Sequence, residues 1–326
     1  MFAAVVRNFG APPRYEEFVA PLPAGAHEEV VDVLASGLHP RVRSQADGSH
    51  YTATDELPLI PGIDGVGRRT DGSLVYFILP DTIYGAMAQQ TVINNRRSIT
   101  LPGDANPALI AAAMNPAMSS WIALKARIKF EPGQSVLILG ATGSAGQLAI
   151  QVAKHLGAGE IVAAGRGAGW AAGRGAERLA ALGATSTIDL AADPDTVAAD
   201  IAAKSSEVDV VLDYLWGPPT QAALMPLLRA RRDPGKLLSW VEIGSVAGAD
   251  IVLPSAALRQ ANIHFLGSGQ GSASAAGILA TLPSLVDEVL AGTFALDVVT
   301  RPLAKVETVW GEPAGALQRA VFVTGH

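Results

Sequence analysis

Three glycines recur at a spacing of three in the run Gly140-Ala141-Thr142-Gly143-Ser144-Ala145-Gly146. The residues before them, Ser135-Val136-Leu137-Ile138-Leu139, read as a buried strand. After them, Leu148, Val152 and Leu156 fall on one face of a helix. A strand that turns through glycines into a helix is chemistry for an anion. The turn brings backbone without Cβ against a pyrophosphate, and the free N–H groups of the first helical turn hold the charge. Gly140, Thr142, Gly143, Ser144, Ala145 and Gly146 are therefore the predicted dinucleotide cradle. The next strand, Ile161-Val162-Ala163-Ala164, ends in Gly165-Arg166, with no carboxylate between Ile161 and Arg174. A carboxylate there would accept from a ribose 2′-hydroxyl, whereas an arginine suits a 2′-phosphate. The predicted cofactor is NADP(H). Arg174 is a second candidate for the phosphate, because Ala171-Ala172-Gly173-Arg174-Gly175 repeats Ala163-Ala164-Gly165-Arg166-Gly167.

Other chemistries lack their materials. The chain has no cysteine, which excludes disulfides, thiolate nucleophiles, iron–sulfur clusters and cysteine-liganded zinc. The Tyr-x-x-x-Lys pair of short-chain dehydrogenases is absent, since none of Tyr15, Tyr51, Tyr76, Tyr84 and Tyr214 has lysine four residues on. A formal charge of −6 gives no electrostatic footprint for nucleic acid or an anionic membrane.

The elements that must position the turn follow from the texture of the chain. With 326 residues, 49% hydrophobic and 17% charged, it can bury two cores and is not disordered as a whole. The first hundred residues read as strands and turns. From Pro107 apolar runs alternate with helical patterns, as in a parallel sheet covered on both faces. Asp213-Tyr214 closes one such strand at the carboxyl edge, where ligands gather, so Tyr214 is a cofactor candidate. Beyond Gly292 the strand texture returns, and Val298–Pro302 and Ala320–Val323 are expected to rejoin the first domain. The predicted domains are 1–107 with 292–326, and 108–291. The most apolar window, Ala108–Leu124, is interrupted by Asn115-Pro116 and Ser119-Ser120 and reads as too broken to span a membrane. No signal peptide is seen, and a soluble cytoplasmic protein is expected.

The chain resembles the zinc-free, quinone oxidoreductase-like branch of the medium-chain dehydrogenase/reductase superfamily. The resemblance covers nearly its whole length and rests on Gly37-Leu38-His39-Pro40, on Leu57–Gly67 and on the Gly140–Gly146 turn. Glu242-Ile243-Gly244 and Pro302-Leu303-Ala304-Lys305-Val306 add to it. It implies an α/β Rossmann sheet inserted into a β-rich, partly open, GroES-like barrel that forms the catalytic domain. It also implies a reductase of quinones or α,β-unsaturated carbonyls, with metal-free carbonyl or imine reduction as an alternative. A cofactor-binding protein with little catalysis is the alternative of another class. The places of the family's zinc ligands fall on His39, Ile63 and Asn115, a set that cannot hold a catalytic zinc. Hydrogen-bond donors must then meet the growing oxyanion. Asn115, His39 and Tyr51 are the candidates, with Arg41, on the loop behind His39, to supply charge. The resemblance further assigns Ser119, Gly244 and Ser245 to the cofactor, and implies a homodimer paired through Asn262–Gly267. Gly267, after the strand Ile263–Leu266, either approaches the same cofactor edge or belongs to the subunit-pairing edge.

Overall fold

The computed structural model describes residues 1–167, 173–312 and 318–325. In chain order it opens with β1 (Phe2–Val5), β2 (Arg14–Glu17), β3 (Glu28–Gly37) and α1 (Pro40–Ala46). Then come β4 (Asp64–Arg68), β5 (Leu74–Ile78), β6 (Gln90–Asn94), β7 (Ser98–Leu101) and α2 (Pro107–Ile122). The middle holds β8 (Ser135–Leu139), α3 (Ser144–His155), β9 (Glu160–Gly165), α4 (Arg174–Leu182), β10 (Ser186–Asp189) and α5 (Pro194–Ser205). It continues with β11 (Val210–Asp213), α6 (Gly217–Ala230), β12 (Leu238–Glu242), α7 (Ser255–Gln260) and β13 (Ile263–Gly267). The chain ends with α8 (Ala275–Leu290), β14 (Asp297–Pro302), α9 (Val306–Trp310) and β15 (Gln318–Val323). Two compact units result, Met1–Asn115 with Pro283–His326, and Pro116–Leu282.

The first unit is built around β3. Its alternate residues Val31, Val33 and Ala35 are buried, the period expected of a strand with one face on the core. It pairs antiparallel with β4, with β6 and with the returning β15, and β14 adds to β15 in parallel. Both C-terminal strands thus rejoin the N-terminal part, as their texture predicts. In β4 glycine is required by close approach: a Cβ on Gly65 would lie 2.8 Å from the Ala35 carbonyl oxygen. One expectation is corrected here. The residues after His39 form helix α1, with Pro40 in its first turn, so Arg41 stands on a helix and not on a loop.

The second unit is a parallel sheet in the order β10-β9-β8-β11-β12-β13. The order reverses between β8 and β11, the switch point of a doubly wound sheet. Val136, Leu137, Ile138 and Leu139 are all sealed from solvent, because helices cover both faces of a parallel sheet. The reading of Ala108–Leu124 as a broken segment is also corrected. α2 runs through Pro116 and continues helically to Arg127, 21 residues in all, and 67% of its most apolar window is buried inside the protein. Ser119 and Ser120 do not break it, because their hydroxyls donate to the Pro116 and Ala117 carbonyls of the preceding turn.

Candidate cofactor cradle and polar network

The glycine turn joins β8 to α3 at the switch point. Gly140 has φ +92°, a conformation open to glycine. A Cβ on Gly146 would lie 2.3 Å from the Gly140 carbonyl oxygen and 2.7 Å from the Ala141 Cα. A Cβ on Gly165 would lie 2.7 Å from the Thr142 methyl carbon. The first turn of α3 is therefore pressed against the ends of β8 and β9. Gly143, the N-cap, faces outward and has no capping side chain. The amides at the start of α3, Ser144, Ala145 and Gly146, are the donors a helix leaves without an internal partner. This cradle fits a diphosphate: among the described residues no side chain caps the first amides of α3, and the glycines bring the backbone close. Thr142 ties the turn to the next strand by donating its hydroxyl to the Arg166 carbonyl at 2.9 Å. Arg166 is exposed at that strand end. The Arg174 side chain and residues 168–172, with much of the second repeat copy, lie outside the described residues.

Three further strand ends stand at the same carboxyl edge. Ser119 donates to the Pro116 carbonyl at 2.7 Å, and its oxygen lies 3.0 Å from the Tyr214 hydroxyl. A hydroxyl has one hydrogen, so Tyr214 is the donor of that pair. Burial pushes the Tyr214 phenol up to about 12, which keeps its proton in place at neutral pH. Asp213 is fully buried. It accepts from the Leu215 and Trp216 amides, from Thr220 and from the Trp240 indole, and so shapes the loop that carries Tyr214. The Gly244 amide donates to the Asp213 carbonyl at 3.2 Å, and the following Ser245 is exposed. The Gly267 carbonyl, at the end of β13, accepts from Arg127 at 3.0 Å.

The first unit holds the other candidates in three separate settings. His39 is 4% exposed, and its Nε2 lies 3.4 Å from Asp64 Oδ1. Burial lowers its pKa more than Asp64 raises it, so the ring is held neutral. Tyr76 donates to the other Asp64 oxygen at 2.9 Å. Arg41 donates to both oxygens of Asp81, at 2.7 and 2.6 Å, and to Thr52 at 2.8 Å, so its charge is matched locally. Tyr51 is 72% exposed, with its ring against His50 at 4.4 Å. Asn115 is half-buried on α2, and among the described residues its amide has no hydrogen-bond partner. The structure thus joins His39 to Asp64 and Tyr76, and sets Arg41 in an ion pair beside the Tyr51 segment. Asp64 and Tyr76 were not singled out from the sequence. The available signal was a lone carboxylate and a lone phenol inside apolar strands, where each needs a partner. Among the described residues no group of three histidine, aspartate or glutamate side chains is placed to hold a metal ion.

No protein-family model matches the chain. A probable NADPH-dependent quinone reductase of Emericella nidulans is 29% identical over 99% of this chain and 100% of its own length. The quinone oxidoreductase of Thermus thermophilus, solved also with NADPH, superposes with a TM-score of 0.78 and 24% identity, covering 99% of this chain and all of that one. A 2-haloacrylate reductase superposes with a TM-score of 0.80 at 21% identity, with both chains fully covered. The glycine turn at the switch point of the sheet and the C-terminal strands returned to the N-terminal unit agree with these likenesses, and the chain has the fold of these reductases over its full length.

Proposed function

We propose that this protein is an NADPH-dependent reductase that delivers hydride to a quinone or an α,β-unsaturated carbonyl without a metal. The observation that carries the reading is the cradle at Gly140–Gly146, packed so closely that no Cβ fits at Gly146, with Arg166 exposed at the end of the neighbouring strand. NADPH, when bound, supplies the hydride. In this reading the Ser144, Ala145 and Gly146 amides hold its diphosphate and Arg166 its 2′-phosphate. Ser119, Tyr214, Gly244, Ser245 and Gly267 complete the cofactor side. The relative from Emericella nidulans, an NADPH-dependent quinone reductase by name, supports the choice of cofactor and acceptor. The test is a screen of NADPH oxidation against quinones, enones, enals, ketones and cyclic imines. Turnover confined to ketones or imines would overturn the assignment.

Reduction of such an acceptor places negative charge on oxygen, which fixed donors stabilise. The Asn115 amide, without a hydrogen-bond partner among the described residues, is the donor of choice. Tyr51 and His39 act behind it, through water, and Arg41 holds the Tyr51 segment by its pairing with Asp81. Activity should survive prolonged chelation, and elemental analysis should find far less than one zinc per chain. A stoichiometric zinc whose removal stops turnover would reject a metal-free mechanism.

Cofactor choice has its own test. The protein should bind NADPH at least roughly tenfold more tightly than NADH, about 1.4 kcal/mol. Arg166→Ala should erase most of that difference while keeping the backbone bond from Thr142. Equal affinities for the two cofactors in the unmutated protein would end the assignment. Loss of the preference in Arg174→Ala alone would move the phosphate to the second repeat.

The assembly we infer is a cytoplasmic homodimer. β13 is the last strand of its sheet, and Ile263, Phe265 and Leu266 along it are only half-buried. A bare apolar edge invites pairing with a second copy. Light scattering at micromolar concentration should give twice the chain mass; a monomer would reject the pairing.

A further inference from the structure

Asp64 is the buried group that the proposed reaction leaves without a task. It is 1% exposed, and each of its oxygens has a neighbour. Tyr76, itself buried, donates to Oδ2 at 2.9 Å, and burial drives the Tyr76 phenol well above its usual range, so that hydroxyl keeps its hydrogen. Oδ1 faces His39 Nε2 at 3.4 Å. A carboxylate oxygen is an acceptor, so the ring nitrogen turned toward it carries the hydrogen. A neutral imidazole has one N–H, and its other nitrogen is then a bare lone pair.

We propose that Asp64, anchored by Tyr76, is the positioning residue that fixes His39 with its hydrogen on Nε2, leaving Nδ1 as an acceptor for a hydroxyl group of a bound ligand. His39 stands at the N-cap of α1 but makes no capping hydrogen bond there. Among the described residues Nδ1 has no partner, and it is not one of the polar atoms sealed from solvent. The nearby Arg319 differs: its Nε and Nη2 also lack partners but are sealed, beyond the reach of a ligand. Arg319 and Arg41 both disfavour a second positive charge on His39, and with burial they keep the ring neutral against the pull of Asp64. A neutral ring fixed this way cannot itself donate to an oxyanion and acts on one only through a water whose hydrogen it accepts. It selects instead a ligand that brings its own O–H, such as a hydroquinone. That choice of ligand rests on the reductase reading; the arrangement of the ring does not.

Long-range nitrogen–proton NMR of the histidine-labelled full chain tests the arrangement, with His39→Gln to assign the signals. At neutral pH, His39 should be neutral and protonated on Nε2. Asp64→Asn should give a mixture of tautomers. If that variant does not fold, the unmutated spectrum decides alone: a hydrogen on Nδ1 overturns the positioning role. Hydroquinone should move the Nδ1 signal. Its dimethyl ether, which has no hydroxyl, should bind roughly tenfold less well, the effect of one lost hydrogen bond. A hydroquinone that leaves Nδ1 unmoved overturns the acceptor role. NADPH binding and turnover, measured on the same sample, judge the reductase reading separately.

Discussion

Gly146→Ala should lose NADPH binding by at least roughly 100-fold and also lower the melting temperature, because overpacking of this kind costs about 1–3 kcal/mol. The added methyl would meet the Gly140 carbonyl oxygen at 2.3 Å, the Ala141 Cα at 2.7 Å and the Gly140 carbonyl carbon at 2.9 Å. All three are backbone atoms of the turn that forms the cradle, so none can rotate away. The turn must open or α3 must back off β8, and either change scatters the amides of Ser144 and Ala145. Gly143→Ala separates this steric effect from a direct one. A Cβ there meets only the Gly140 oxygen, at an ordinary 3.5 Å, and stands on the exposed side of the turn. Its melting temperature should match the parent, while NADPH affinity falls by roughly tenfold, because the methyl occupies the approach to the amides. Fluorescence titration of NADPH and a thermal melt measure both quantities. A Gly146→Ala protein with parental affinity would show that the turn is a packing feature and not a cofactor site.

The cradle was legible because its physics is local. A buried strand, three glycines and an amphipathic helix stand next to one another in the chain, and each constrains the next. The same holds for β8, β9 and β11, whose apolar runs have the length and bounds of strands covered on both faces. β4 was harder to read. Gly65 and Gly67 look like turn residues, yet they lie in a strand because Gly65 packs against the Ala35 carbonyl, a contact set by tertiary structure alone. α1 was missed for a similar reason. Pro40 reads as a loop residue until the extended His39 before it shows that Pro40 opens a helix. The partners of His39 were invisible too: Asp64 and Tyr76 are 25 and 37 positions away, and only strand pairing of β4 with β5 brings them together. Register, not composition, makes such a network, and a single sequence carries register poorly.

Asn115→Leu should lower kcat by roughly 100-fold, about 3 kcal/mol, on the best acceptor found by the screen. Leucine keeps the heavy-atom count and branching of asparagine, is somewhat larger, and removes both amide groups, so the half-buried site on α2 loses its donor without gaining a cavity. NADPH affinity should change little, because the groups proposed to hold the diphosphate and the 2′-phosphate lie between Gly140 and Arg166. Stability should hold or rise, since the side chain has no hydrogen-bond partner among the described residues to lose. The effect must therefore appear in kcat, which reports a group that acts on the transition state rather than on the bound cofactor. Tyr51→Phe and His39→Ala grade the remaining groups. Tyr51→Phe deletes only a hydroxyl on an exposed ring and should cost less than Asn115→Leu. His39→Ala empties a buried site and should weaken retention of a hydroxylated product more than it slows hydride transfer. Full activity in all three variants would mean that no side chain in this set stabilises the oxyanion. Turnover would then depend on holding the acceptor carbon about 3–3.5 Å from the hydride donor, with bulk water as the proton source.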